Sequence, residues 1–186
     1  MGQVANVKLG QDLEPERLMD NINKHLPSDI KILECEKVDN RFHARLNAKA
    51  KTYMYTLCVG KKPDVFNRRT VLHYCADLDV NAMKKAAEYL KGEHDFMSFC
   101  SNKRTKSTVR KIYDIEIIKD GDEISFIFKG NGFLYNMVRI LTGTLVEVGL
   151  GKTNPDDMPK ILEAKDRSKS GATLPPRGLI LVNVEY

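Results

Sequence analysis

The stretch "VRKIYDIEIIKDGDEISFIFKG", residues 109–130, determines the fold class more clearly than any other part of the chain. Two runs of alternating polar and apolar residues flank Asp120-Gly121, a dipeptide that favours the positive φ angles of tight hairpin turns. The pattern therefore predicts two antiparallel strands joined by a short turn.

Further segments, some with the alternation of strands and some with the apolar spacing of helices, lie on both sides of this hairpin in the chain. Alternation predicts strands at 29–38 and 178–186, and apolar residues at helical spacing predict helices at 14–29, 81–92, 131–149 and 154–165. Asn81 and Asn154 are the expected N-caps. Because strands and helices interleave without a regular βαβ order, we predict an α+β fold with a mostly antiparallel sheet and helices on one face.

Composition narrows the class of protein. The 186 residues are 42% hydrophobic and 30% charged, which suits one sizeable domain. The sequence shows neither an apolar run of the ~20 residues that a membrane helix needs nor a signal sequence, so a cytoplasmic protein is expected. The four cysteines lack C-x-x-C spacing and the four histidines form no ligand pair, so we predict no metal.

A basic row precedes an aromatic residue in "RFHARLNAKAKTYMYTLCV", residues 41–59. In an extended chain, one face would carry His43, Arg45, Lys49, Lys51 and Tyr53. Cations of this kind bind phosphates, and an exposed ring offers a surface on which a base can stack. An ordinary half-buried strand with a solvated lysine face explains the same pattern, and the Ala-Lys portion could also be helical, so these interpretations stay open.

A second basic segment, "SNKRTKSTVRK" at 101–111, carries Lys103, Arg104, Lys106 and Arg110 without an acidic residue. The whole chain has a net charge of +5. Together the two segments favour a polyanionic partner, although a solvated surface loop accounts for the second segment equally well.

Residues 131–149 combine a broad apolar face with one arginine. On a helix, Arg139 shares a narrow stripe with Asn136, Gly143 and Glu147. Arg139 could simply point to water, or its guanidinium could hold a carboxylate or phosphate. Gly143 would allow another backbone or a substrate to approach closely.

Six blocks along the chain, in the same order, resemble those of the bacterial tRNA pseudouridine synthase A family: "GQVANV", "FHARLNAKAKTYMYTL", "GEHDFMSFCS", "GNGFLYNMVRILTGTLVEVGLGK", "AKDRS" and "LPPRGLILVNVEY". The resemblance extends from Gly2 to Tyr186. It implies an isomerase that converts uridine to pseudouridine in the anticodon stem-loop of tRNA without a cofactor or a catalytic metal. It also implies ferredoxin-like halves around a cleft, an everted target nucleotide and a homodimer.

The resemblance assigns roles to particular residues. Tyr53 matches the active-site tyrosine that packs against the base and is a candidate for removing a ribose proton. Arg139 matches the arginine that pairs with the catalytic aspartate, and Leu179 matches an apolar residue of the uracil pocket. His43 and Arg45 belong to a block that faces RNA.

One family feature is absent from the sequence. The family's nucleophile is the aspartate of an Arg-Thr-Asp-Ala-Gly-Val-His motif that ends just before Gly-Gln-Val, and these 186 residues do not contain it. We therefore expect one catalytic-type domain over residues 1–186, truncated at its amino terminus and inactive alone because a carboxylate nucleophile is required. A catalytically inactive RNA-binding module is the alternative.

Overall fold

The computed structural model describes residues 2–62, 65–102 and 107–186 and divides them into two compact units. The small unit is Val4–Asn47, and the sheet unit comprises residues 2–3 and 48–186. The expectation of a single domain over 1–186 stays a prediction. The small unit contains helix α1 (Pro15–Asn23).

The sheet unit contains all the strands of the described residues and three further α-helices. In chain order these are β1 (Ala50–Cys58), β2 (Leu72–His73), α2 (Val80–Glu88), β3 (Gly92–Asp95), β4 (Val109–Asp120), β5 (Glu123–Gly130), α3 (Met137–Gly149), α4 (Met158–Ala164) and β6 (Leu179–Glu185).

The six strands form one sheet in the order β2-β1-β5-β4-β3, and β6 pairs with β1. Only the short β1–β2 pair is parallel. The 109–130 hairpin forms as expected around Gly121, whose φ is +55°. The α+β prediction is confirmed.

Side chains on one face of this sheet pack with α2, α3 and α4 into a single core. Along β1 that face carries Tyr55 and Leu57, which lie opposite Phe126 and Ile124 of β5. Burying aromatic and branched side chains of this size stabilises each by roughly 1.5–3 kcal/mol. The core therefore fixes α3 against the sheet, and α3 carries Arg139.

The predicted basic row is not one extended strand, so that expectation is wrong. β1 begins at Ala50, and the chain turns at 40–46. His43 Nδ1 accepts a hydrogen bond from the Arg45 amide, and the Asn47 side chain accepts one from the His43 amide. Such local side-chain bonds compete with strand formation. As a result, His43 and Arg45 lie in the small unit, whereas Lys49, Lys51 and Tyr53 lie in the sheet unit.

The strand predicted at 29–38 is also wrong. No strand of the described residues pairs with this segment, and Ile30 and Leu33 are 57% and 67% exposed. The Asn23 side chain instead bonds both the amide and the carbonyl of Ile32. Alternation of polar and apolar residues is therefore not enough to predict a strand. The backbone N–H and C=O groups of a strand also need a neighbouring strand with which to form hydrogen bonds.

One of the two predicted N-cap residues is confirmed and the other is wrong. Asn154 caps its turn as predicted, accepting a bond from the Asp156 amide. Helix α2 is capped by Asp79 rather than Asn81, because the Asp79 carboxylate accepts from the Ala82 amide. No helix among the described residues has the length and apolarity to span a membrane.

Candidate active site

Arg139 lies in the first turn of α3 and is half-buried. Its Nε donates to the Leu174 carbonyl at 2.6 Å, and one terminal nitrogen donates to the Asn136 side-chain oxygen at 2.8 Å. Both acceptors are neutral. No carboxylate of the described residues forms an ion pair with Arg139. The guanidinium is therefore held in one orientation while its charge lacks a counter-ion within the described part of the chain.

The residue before α3 contributes to this orientation. Asn136 adopts a left-handed conformation with φ of 62°, which asparagine tolerates better than most residues. Its side-chain nitrogen donates to the Ser101 hydroxyl at 3.3 Å while its oxygen accepts from Arg139. Asn136 therefore connects Arg139 to Ser101.

Residues 171–175, which we call the strap, run along the stripe of α3 that carries Arg139. An added Cβ at Gly143 would lie 1.9 Å from the Ala172 carbonyl oxygen, and one at Gly171 would lie 2.8 Å from the Thr144 backbone. The Gly171 amide donates to the Thr144 hydroxyl at 2.9 Å. The close approach expected at Gly143 is confirmed, and the group that approaches is the strap.

Tyr55 supports the strap from the sheet. Its side chain is 0% exposed, and its hydroxyl donates to the Pro175 carbonyl at 2.6 Å. Burial raises the pKa of Tyr55 to about 12, although the positive charges of Arg139 and Arg177 act to lower it. The phenol therefore stays protonated at neutral pH and can donate. Sequence reasoning missed Tyr55; the Tyr-x-Tyr spacing, which puts Tyr53 and Tyr55 on one strand face, was the available signal.

Tyr53 is two residues from Tyr55 and faces the same side of β1. Its ring meets the Phe133 ring edge-on, with centroids 5.2 Å apart and an angle of 85° between the planes. The side chain is half-buried, and this burial raises its pKa above the usual value for tyrosine. Phe133 is a second residue that sequence reasoning missed.

Leu179 begins β6 and lies opposite Tyr55 in the β1–β6 register, and it packs against the core. Leu181 lies opposite Tyr53. Tyr53, Tyr55 and Leu179 thus share one face of the sheet, and the strap bonded to Tyr55 also holds Arg139. The strap therefore links Arg139 to Tyr55, and Tyr53 and Leu179 lie on the same sheet face as Tyr55.

The residues predicted to bind RNA are distributed less compactly. Lys103, Arg104 and Lys106 lie outside the described residues. On the sheet unit, Lys49 is exposed just before β1, and Lys51 shares the face of Tyr53. Arg110 donates to the carbonyls of Ser107 and Val109, so its guanidinium is folded back on its own backbone.

Neutral oxygens bond the Arg139 guanidinium, and the sheet contributes two phenols, Tyr53 and Tyr55. Residues 2–62, 65–102 and 107–186 contain no cluster of three histidine, cysteine, aspartate or glutamate side chains that could hold a metal ion. Asp95, in β3, is hydrogen-bonded to Thr108 and paired with Lys165. The arrangement can fix an anion and pack a flat ring. The Glu147 carboxylate accepts a hydrogen bond from the Ala172 amide of the strap at 3.2 Å, and no carboxylate of the described residues pairs with Arg139.

Two sequence profiles match the chain: one described as tRNA pseudouridine synthase covers residues 86–186, and one described as an uncharacterized protein conserved in bacteria covers residues 1–125. The chain is 46% identical over 186 residues to tRNA pseudouridine synthase A 1 of Bacillus cereus (strain ZK / E33L), covering 100% of the chain and 75% of that protein. It is 46% identical over 188 residues to tRNA pseudouridine synthase A of Brevibacillus brevis, covering 100% of the chain and 76% of that protein.

A third relative is similar to nearly the same extent. The protein named tRNA pseudouridine synthase A from Caldicellulosiruptor saccharolyticus is 43% identical over 187 residues, covering 100% of the chain and 77% of that protein. The relatives are therefore longer than the chain, and the similarity spans all of it. By these similarities, as the six sequence blocks predicted, the chain belongs to the tRNA pseudouridine synthase family.

Proposed function

We propose that the chain binds tRNA and positions a uridine of the anticodon stem-loop for isomerisation to pseudouridine. The observation that carries this proposal is the state of Arg139, whose two hydrogen bonds go to neutral oxygens and whose charge has no counter-ion among the described residues. An arginine oriented in this way suits a bidentate carboxylate partner. The family's aspartate nucleophile is that partner in the proposal.

In the reaction, the bond between ribose C1′ and uracil N1 breaks, the base turns, and a bond forms between C1′ and uracil C5. A carboxylate nucleophile divides this change into accessible steps. Arg139 keeps the carboxylate ionised and oriented. Tyr53 packs against the base, and Leu179 lines the pocket that receives the uracil.

The raised pKa of Tyr53 bears on its role as a base. Burial favours the neutral phenol, so Tyr53 is protonated near neutral pH. It therefore acts first as a packing surface and hydrogen-bond donor. To remove a ribose proton it must first transfer its own proton to another group.

The position of Gly2 supports an aspartate that precedes it. The Gly2 amide donates to the Val182 carbonyl at 3.0 Å. Val182 falls at the register shift between the Thr52–Asn183 and Tyr53–Leu181 pairs. The family motif ends immediately before Gly-Gln-Val, so the proposed aspartate segment would continue from the Gly2 contact with β6 at Val182. We infer that this segment delivers the carboxylate to Arg139, and that the 186 residues alone are inactive.

A release assay tests this function. Uridine tritiated at C5 loses its tritium to water when C5 bonds to C1′. We expect the 186-residue chain to bind tRNA without release, and a form extended before Gly2 by its relatives' segment to release tritium. Asp→Asn in that segment should abolish release, and Arg139→Gln should reduce it by at least about ten-fold, the loss that corresponds to roughly 1.4 kcal/mol of transition-state stabilisation. Full release by the extended Arg139→Gln variant would contradict the role of Arg139.

The second candidate is an RNA-binding module without catalysis. It is favoured by the described residues around Arg139, among which no carboxylate pairs with the guanidinium to act as a nucleophile. The same assay separates the candidates, because tritium release by the 186-residue chain itself would exclude a purely binding role. Salt-sensitive binding without release from either form would support it.

We further propose that the chain forms a homodimer. Within the described residues, β6 pairs with β1 on one side, and Gly2 supplies the one backbone hydrogen bond to its other side. An open strand edge of this kind favours association. Sedimentation equilibrium tests the proposal, and a monomer across the micromolar range would contradict it.

A further inference from the structure

The turn Pro176–Gly178 follows the strap and presents Arg177 to solvent. Its backbone is fixed on both sides by β1. The Tyr55 hydroxyl holds the Pro175 carbonyl, and an added Cβ at Gly178 would lie 2.6 Å from the Tyr55 ring and 2.9 Å from the Thr56 carbonyl oxygen. Pro175 and Pro176 further restrict the chain because their φ angles are locked. The position of Arg177 is therefore fixed at its backbone, while its side chain is exposed.

Arg177 and Arg139 approach the same buried group from different segments. Both positive charges act on the Tyr55 phenol and lower its pKa, against the larger effect of burial. Arg177 precedes Gly178, whose backbone packs on the Tyr55 ring. Arg139 bonds the Leu174 carbonyl, which is next to the Pro175 carbonyl that Tyr55 bonds. Both arginines therefore belong to segments that are anchored at Tyr55.

Neither arginine is neutralised by the described residues. Every ion pair between described side chains uses a lysine, and none uses Arg139 or Arg177. Like charges repel, so an arrangement of this kind is stabilised by an anion. If Arg139 binds the carboxylate of the proposed function, Arg177 remains available for a second anion.

We propose that Arg177 binds a backbone phosphate of the tRNA next to the nucleotide that is held at Tyr53. This inference rests on the proposed function and adds a binding residue to it. A guanidinium offers parallel donors to two phosphate oxygens. Because the backbone of the turn is already fixed, binding the phosphate costs little conformational entropy in the protein. The bound phosphate would then set the register of the RNA relative to Arg139.

Salt-dependent binding of labelled tRNA to the 186-residue chain tests the inference. Each phosphate contact contributes about one to the slope of log affinity against log salt concentration. We expect Arg177→Gln to reduce the magnitude of the slope by about one. Raising the salt concentration from roughly 50 to 200 mM should therefore weaken tRNA binding by the variant about four-fold less than it weakens binding by the unchanged chain. Arg177→Lys should keep the slope and weaken binding a few-fold.

Lys160→Gln is the matched control, because it removes the same charge from α4, where Lys160 pairs with Asp157 at 2.7 Å. We expect its slope to equal that of the unchanged chain. An unaltered slope in Arg177→Gln, or an equal change in Lys160→Gln, would overturn the inference while leaving the proposed function intact. A chain that fails to bind tRNA at low salt would overturn both. Circular dichroism checks that each variant is folded.

Discussion

The sheet unit and the small unit differ in how their helices are stabilised. In the sheet unit, α3 has 13 residues, of which all but Arg139 and Glu147 are buried. In the small unit, α1 has nine residues and none is buried. A helix of that length is marginal in water without packing. Stability in the sheet unit thus comes from a core, whereas α1 depends on local contacts such as the Asn23–Ile32 bonds.

Truncating one side chain in each unit tests this contrast and should give the largest effect. Phe126 is 0% exposed in the sheet unit, so Phe126→Ala should cost about 3–5 kcal/mol. Leu18 in α1 is only partly buried, and Leu18→Ala should cost less than about 1 kcal/mol. Urea unfolding followed by circular dichroism measures both. Equal losses in the free energy of unfolding would mean that apolar packing stabilises the small unit as much as it stabilises the sheet unit.

Glycine substitutions sharpen the same comparison. In Gly143→Ala the new Cβ would lie 1.9 Å from the Ala172 carbonyl oxygen, so the strap must move. We expect a loss near the upper end of roughly 1–3 kcal/mol, despite alanine's better helix propensity. At Gly10 in the small unit, an added Cβ would meet no heavy atom within 4 Å, and Gly10→Ala should change the free energy of unfolding by less than about 0.5 kcal/mol.

Hydrogen exchange distinguishes a moved strap from general destabilisation. In Gly143→Ala, exchange of the Gly171 and Leu174 amides, which donate to Thr144 and Arg139, should accelerate more than exchange in β5. Uniform acceleration would contradict the assignment of the clash to the strap.

Alkaline pH should destabilise the sheet unit through Tyr55. Burial raises the pKa of Tyr55 to about 12 from 10.0, so the folded state favours the neutral phenol. This contribution is fully present below about pH 10 and is lost as the pH rises from about 10 to about 12, by on the order of 2 kcal/mol. The small unit contains no tyrosine.

The measurement compares Tyr55→Phe with the unchanged chain. Ultraviolet absorbance of phenolate should show one tyrosine fewer titrating near pH 12 in the variant. The free energy of unfolding should fall less steeply between about pH 10 and 12. Identical pH dependence in both proteins would show that the Tyr55 phenol is not held neutral by burial.

Much of the sheet unit could be predicted from sequence because its signals are local. The Asp120-Gly121 turn, the alternation on either side and the apolar periodicity of 131–149 each depend on neighbouring residues. The Asn154 cap is likewise local. The turn, both strands and the cap formed where they were expected, whereas the helix predicted at 131–149 begins only at Met137.

The elements that failed depend on distant partners. Residues 29–38 alternate but have no neighbouring strand among the described residues. The chain turns at 40–46, where the His43 and Asn47 side chains accept hydrogen bonds from nearby backbone amides. Simple alternation across 178–186 would put Val182 and Tyr186 on one apolar face with Ile180 and Val184. Val182 and Tyr186 are instead 38% and 37% exposed, and the β1–β6 register shifts at Val182. A bulge moves the side chains that follow it to the opposite face of the sheet, and the alternation pattern of a single sequence does not reveal it.

The candidate site shows the same division. The stripe that carries Arg139 followed from helical periodicity, and the roles of Tyr53, Arg139 and Leu179 followed from family resemblance and stay predictions. The strap and Tyr55 could not be anticipated, because Tyr55 and Pro175 are separated by 120 positions in the chain. Gly143 was the one local sign that a second backbone would approach.

The smallest expected effect compares an ion pair in each unit. Burial acts to raise the pKa of Asp95, but bonds from Thr108, Lys165 and the Met97 amide outweigh it, and the pKa is lowered. The resulting stability is present above pH 3.8 and is lost as the pH falls through the lowered value. Asp95→Asn should therefore cost less than about 1 kcal/mol at neutral pH and flatten the acid side of the stability profile.

Asp12 and Lys37 form the corresponding pair in the small unit, with side chains 85% and 54% exposed. Asp12→Asn should leave the free energy of unfolding unchanged, because water screens so exposed a pair. Asp95 is 25% exposed and has bonds from three groups, so water screens it less. Urea unfolding at neutral and acidic pH measures the two variants side by side. If neither substitution changed the free energy of unfolding, partial burial would not strengthen the ion pairs of the sheet unit. The two units would then differ only in their apolar packing.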